Sequence, residues 1–166
     1  RADAIIPPMG LDKPTRLFDE GKQEQAFALL LKRLRANPRD GTGNRYILAG
    51  LYARAGRWAE LARLLRRPTY KDWKTSFWSY PRALMLFATK GPDDPSTRRA
   101  LEAAVSDNAL LPAYILGTKP IPDPLPTTGF HSPGEDSEAL LLAAPMKDAF
   151  ERVPGALAWL GASVGR

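Results

Sequence analysis

The sequence predicts an all-α fold: antiparallel helical hairpins stacked as a right-handed array, then a long proline-rich loop and a C-terminal docking helix. Three observations predict it. Apolar residues recur with a helical period from Ala26 to Leu34. Gly21, Gly56 and Gly91 stand 35 residues apart, each between two helical stretches. Pro38, Pro68 and Pro95 fall where helices should stop or start.

The 166 residues fit one domain with a sizeable core. The expected organisation is an extended arm at 1–10, helical repeats at 11–117, a proline-rich loop at 118–136 and a helical cap at 137–166, all in one compact unit. No apolar run is long enough to span a membrane, so no insertion is expected. Residues 1–10 lack the apolar centre of a signal peptide. The absence of cysteine excludes disulfides and thiolate ligands. It fits the cytoplasm, which is the expected compartment, although periplasmic proteins often lack cysteine too. A single histidine, His131, argues against a zinc centre. No cofactor or metal is expected.

Charge is distributed unevenly. From Lys32 to Lys74 there are 12 Lys or Arg and 3 acids, a net +9; from Pro92 to Arg152 there are 10 acids and 5 bases, a net −5. Such asymmetry attracts an anionic partner, or lets the two halves attract each other.

In chain order, Asp12 is placed to cap a short helix with Pro14 in its first turn, running to about Glu20. The helix from Lys22 to Ala36 is the clearest: Ala26, Leu29, Leu30, Arg33 and Leu34 share one face, and Asn37 is extended ahead of Pro38. Thr42 is the expected cap for the helix from Asn44 to Ala55. Its apolar residues (Tyr46, Ile47, Leu48, Leu51, Tyr52) cover much of the circumference, the mark of a helix sandwiched between neighbours. Trp58 to Arg66 follows as a short partner using Leu61, Leu64 and Leu65.

Lys71 to Tyr80 begins another helix, resumed after Pro81 to Lys90, with the proline either kinking it or starting a new one. Asp94 and Pro95 start the next, to about Ser106. An irregular segment follows, in which Pro120, Pro122, Pro124 and Pro126 dictate an extended path. Ser137 is the expected cap of a last major helix to about Arg152, with Pro145 as a kink. Pro154 opens a final turn or short helix that docks Leu157, Trp159 and Leu160.

The glycine spacing carries further matches. Leu17, Tyr52 and Phe87 each stand four residues before a glycine. Ala26 and Leu30, and with a four-residue insertion Ala100 and Ala104, take close-packing positions; Pro38 and Pro112 close their units. This pattern resembles the tetratricopeptide repeat, without its signature tryptophan. A second resemblance lies in Leu101, Ala104, Asn108 and the run from Pro112 to Gly117. Pro120, Gly129, Gly134, Glu138 and Ala139 follow, then Pro154 to Leu157, Trp159 and Leu160. That order is similar to bacterial tetratricopeptide proteins related to the suppressor-of-tumorigenicity family, over about Arg45 to Leu160. It departs from them at Phe130-His131-Ser132. The resemblance implies a scaffold and carries no catalytic residue.

The candidate binding residues are Arg45, Arg54, Arg57, Arg63, Arg66, Arg67, Lys71, Trp73 and Lys74. Arg63 and Arg67 share a helix face, as do Arg54 and Arg57. Guanidinium forks suit carboxylates and phosphates. The arginines form either an anion-binding groove or a solvated face, the commoner fate of a charge run. Trp73, Phe77, Trp78 and Tyr80 either grip a partner or pack the core, which is what aromatic clusters usually do. Ser132, His131 and Asp136 are neighbours in one loop rather than groups converging on a rigid frame, so a hydrolytic triad is not read there and His131 is read as a surface residue. The prolines at 120–126 are either a ligand for a proline-reading domain or a strap across the helices, the strap being preferred. The expected function is a non-enzymatic scaffold that binds a protein segment on a basic and aromatic helical surface. The alternative is a nucleic-acid-binding component of a larger assembly.

Overall fold

The computed structural model describes residues 12–70, 75–126 and 131–165. The arm at 1–10 and the candidates Lys71, Trp73 and Lys74 lie outside the described residues. All regular structure among the described residues is helical.

Local chemistry starts and stops the helices. The Asp12 carboxylate accepts from the Thr15 amide at 2.8 Å and opens α1 (Lys13–Asp19), with Pro14 in the first turn where its missing N–H costs nothing. Asn37 ends α2 (Gln23–Ala36) ahead of Pro38. After α3 (Asn44–Ala55) and α4 (Trp58–Leu65), the long α5 (Ser76–Lys90) runs through Pro81 as one element. Asp94 accepts from the Ser96 amide and opens α6 (Pro95–Asp107).

The three evenly spaced glycines all have positive φ, 81°, 66° and 86°, which glycine adopts without a Cβ clash; Gly56 is left-handed helical, whereas Gly91 has ψ 170° and leads the chain out extended. After Gly21 and Gly56 the next amide reaches back five residues, Lys22 to the Leu17 carbonyl (2.8 Å) and Arg57 to the Tyr52 carbonyl (2.9 Å). Pro92 follows Gly91 and has no amide to give. There Gly91 itself donates to the Phe87 carbonyl at 2.9 Å. Leu17, Tyr52 and Phe87 are thus the carbonyls on which the three helices terminate.

Three expectations are corrected. Thr42 does not cap α3. Asp40 does, with one carboxylate oxygen accepting from the Asn44 amide (2.9 Å) and the other from the Arg45 amide (2.8 Å), while Thr42 accepts only from the Asn44 side chain. A carboxylate four residues before the first helical position spans two orphan amides where a hydroxyl serves one. Ser137 does not cap α8 (Asp136–Glu151); it lies inside the first turn, and its hydroxyl accepts from the Ser132 amide at 3.0 Å. The segment after residue 108 is not wholly irregular. Asn108 accepts from the Leu110 and Leu111 amides and starts a short helix, α7 (Leu111–Ile115). The chain over 116–126 then carries neither helix nor strand, and Ile121 anchors it on the core. Gly155 leads into α9 (Ala156–Val164), where Trp159 stacks on Phe87 at 4.6 Å.

The helices pack in an ordered way. α1 packs on α2, α3 on α4, and α5 on α6; α2 and α4 also touch the odd-numbered helix that follows, and α1, α3 and α5 touch in sequence. α8 lies against both α3 and α5, and α9 packs on α5, α7 and α8. With neighbours on so many sides, α3 is buried continuously from Asn44 to Ala53. Leu142, Met146 and Phe150 of α8 are fully buried. At about 2 kcal/mol for each such side chain, their burial is comparable with the whole stability of a small domain. α8 is therefore part of the core rather than a detachable latch.

Candidate functional site

The arginines that the sequence groups together meet three different fates. Arg45 is fully buried, its side chain 1% exposed. Its guanidinium donates to the Asp40 carboxylate at 3.0 Å and to the Asp40 carbonyl at 2.7 Å. A second guanidinium nitrogen donates to the Tyr46 hydroxyl at 2.8 Å. Arg45 is removed from the set of partner-binding residues. Its neighbour Asp40 and the buried α3 take it inward, and its bonds to Asp40 hold that end of the turn against the core.

Arg54 and Arg57 tie hairpins together. Arg54 donates from Nε to Asp148 at 2.6 Å and from Nη2 to Asp19 at 2.9 Å, with its guanidinium 4.6 Å from the Phe18 ring centre. Arg57 bonds Glu24 at 2.6 Å and Glu60 at 2.7 and 2.9 Å, beside the Phe27 ring. Asp19 and Arg54 are 35 residues apart, so equivalent positions of successive hairpins carry the opposite charges that join them. The basic and acidic halves, which the sequence left open to attract a partner, each other or a second subunit, form an ion pair within the molecule, Arg54 with Asp148. Arg63, Arg66 and Arg67 remain exposed at the end of α4.

Aromatic residues follow the structural alternative. Phe77, Trp78 and Tyr80 are buried, and the Tyr80 hydroxyl donates to the Asn108 carbonyl at 2.6 Å. Burial raises the Tyr80 pKa far above its usual value, so this group stays a donor. His131 is only half-exposed and packs edge-on against Phe77 at 5.5 Å. Asp136 is occupied by the Tyr114 hydroxyl and Lys119, whose bonds hold its carboxyl below the usual range. A surface histidine was expected; the Phe77 ring partly covers it. Among the described residues, no three His, Cys, Asp or Glu side chains converge to hold a metal ion.

One cleft of about 660 Å³ opens where α3, α5 and α8 end. Its walls include Arg54, Trp58, Phe87, Arg152 and Pro154. Its size lies within the range of ligand-binding clefts. Asp148 accepts from both Arg54 and Arg152 (2.9 Å). Burial pushes the Asp148 carboxyl up, but the two guanidinium bonds together outweigh this and hold it below the ordinary range. Arg152 spends only Nε on that bond, and its side chain is 50% exposed, which leaves its two terminal nitrogens to a ligand. The cleft thus offers an open guanidinium fork beside two aromatic walls, suited to a carboxylate next to an apolar group.

Sequence reasoning missed Trp58, Phe87, Arg152 and Asp148 as site residues. Trp58 and Phe87 were visible beside the repeated glycines. Arg152 and Asp148 are four apart on one helix, but nothing local signals their link to Arg54, which lies 94 residues from Asp148. No family model, curated protein or solved structure matches the chain. Among the described residues, no helix is long and apolar enough to cross a membrane.

Proposed function

We propose that the chain is a non-enzymatic interaction scaffold, built as a tetratricopeptide-like right-handed array of hairpins closed by a C-terminal docking helix. A partner's segment binds in the cleft walled by Trp58 and Phe87, with an acidic side chain or chain end on Arg152. The order of packing supports the array: odd-numbered helices follow one another, and even-numbered ones wedge between them. The observation that carries the binding site is the open Arg152 fork beside two aromatic rings in a cleft of about 660 Å³. The face made by α3 and α5 is taken by α8, which directs the partner to the helix ends instead.

The test is capture of partners from native lysate by the tagged protein, with and without nuclease, for the wild type, Trp58→Ala and Arg152→Glu. A protein that survives nuclease and is lost from both variants, with helicity kept, supports the reading. Equal capture by Arg152→Glu overturns the cleft as the site.

A further inference from the structure

Six cations gather at the other end of the α3–α4 hairpin, away from the cleft. Lys32 and Arg35 lie in the last turns of α2, and Arg39 follows it; Arg63, Arg66 and Arg67 occupy the end of α4. All six are exposed, and none forms an ion pair among the described residues. The Tyr70 hydroxyl donates to the Pro38 carbonyl at 2.8 Å, and the Tyr70 amide to the Arg67 carbonyl at 2.9 Å. These bonds bring the two helix ends together. No Asp or Glu occurs in 25–39 or 61–70. Of the acids that border these stretches in sequence, Asp40 is bound to Arg45, Glu24 and Glu60 are bound to Arg57, and Asp72 lies outside the described residues.

Helix dipoles account for part of this. Each C-terminus carries about half a negative charge, so the two ends together offset about one of the six positive charges. Elsewhere Arg54, Arg57, Lys119 and Arg152 each bond a carboxylate, and cations without an ion pair among the described residues, such as Arg98 and Arg99, stand close in sequence to Asp93, Asp94 and Glu102. The excess at this end is local.

We infer that this end binds the phosphate backbone of a nucleic-acid duplex. Five of the six cations are arginines, whose forks match phosphate oxygens. The large hydrophobic side chains exposed among the described residues are Leu110 and Val164, on other parts of the chain. Among the described residues, the patch therefore has neither the apolar anchor around which protein interfaces form nor the aromatic platform on which single strands stack. A backbone contact of this kind positions the duplex without reading its sequence.

Titrating the purified protein against a fluorescent duplex of mixed sequence, over a series of salt concentrations, tests the inference. Single-stranded DNA and polyglutamate serve as competing polyanions. Duplex binding is expected to weaken linearly in log–log terms with salt, the slope falling by about 0.9 for each phosphate contact removed. The triple variant Arg63→Gln, Arg66→Gln, Arg67→Gln should bind at least about tenfold more weakly at about 50 mM salt. Lys32→Gln, Arg35→Gln, Arg39→Gln should do likewise, while Arg99→Gln, exposed on α6, keeps wild-type affinity. Unchanged binding by both triple variants, no binding at low salt, or preference for polyglutamate or single strands overturns the inference. A preference for polyglutamate would assign the patch to an acidic protein.

Discussion

Arg54 Nε lies 2.6 Å from the Asp148 carboxylate, and this pair joins the second hairpin to α8 across 94 residues of chain. It is the point at which the basic and acidic halves meet. Arg54 also holds Asp19, so one guanidinium links α1, α3 and α8.

Removing the acceptor while keeping its shape should loosen that junction. Asp148→Asn is expected to cost about 1 kcal/mol, since the carboxylate is half-exposed and screened by solvent. Urea unfolding at neutral pH measures it.

The same pair gives a pH dependence. Asp148 has a folded pKa below its ordinary value of 3.8, so its contribution is fully present above that value and is lost as pH falls through the depressed one. Wild-type stability should therefore drop on acidification below about pH 4, and Asp148→Asn should drop less. Urea midpoints at pH 7 and about pH 3 give the comparison, and parallel declines would show that the pair carries no such term.

Arginine substitutions should separate by fate. Asp40→Ala leaves the buried Arg45 guanidinium without its carboxylate and strips the cap from α3, and it is expected to cost about 3–5 kcal/mol. Arg63→Gln and Arg66→Gln, at exposed positions, should stay within about 0.5 kcal/mol. Thermal melts of the three variants check this ordering.

Gly56 and Gly41 make a matched pair. A Cβ at Gly56 would meet the Trp58 ring at an ordinary 3.9 Å, so the penalty of Gly56→Ala is the left-handed backbone at φ +66°, about 1–2 kcal/mol. Gly41 has neither a left-handed φ nor a neighbour within 4 Å, and Gly41→Ala should be neutral or slightly stabilising. Denaturant midpoints of the two variants should move in different directions or by clearly different amounts.

Glu138 is buried and accepts from the Ser76 hydroxyl (2.6 Å), the Asn108 side chain (3.0 Å) and the Gly134 amide (3.3 Å). Glu138→Ala leaves Ser76 and Asn108 buried without that acceptor and should cost about 2–4 kcal/mol. Hydrogen exchange at the Gly134 amide should speed up by more than the global change, because that amide loses its only side-chain partner among the described residues.

Helix boundaries were legible because their causes are local. Asp12 with Pro14, Asp94 with Pro95, and the glycines at 21, 56 and 91 act through the backbone next to them. The cap at Asp40 was harder to place, since a carboxylate can reach an amide from several positions and only the turn's path selects one. The core was legible where apolar residues surround a helix, as in α3, and the aromatic run at Phe77, Trp78 and Tyr80 went inward with it.

The sequence by itself determined the helical class, the hairpin period and the imbalance of charge between the two halves, all properties of neighbouring residues or simple counts. Only the tertiary structure decided which arginine is buried, which is spent on a bridge and which stays exposed. Arg45, Arg54 and Arg63 are alike in sequence, and their differences arise from Asp40 folding back, Asp148 arriving on α8, and, among the described residues, no carboxylate reaching Arg63 on α4's last turn. A charge's role depends on what lies within a few ångströms of it, and for a long-range contact that is set by the packing of elements, which local spacing does not encode.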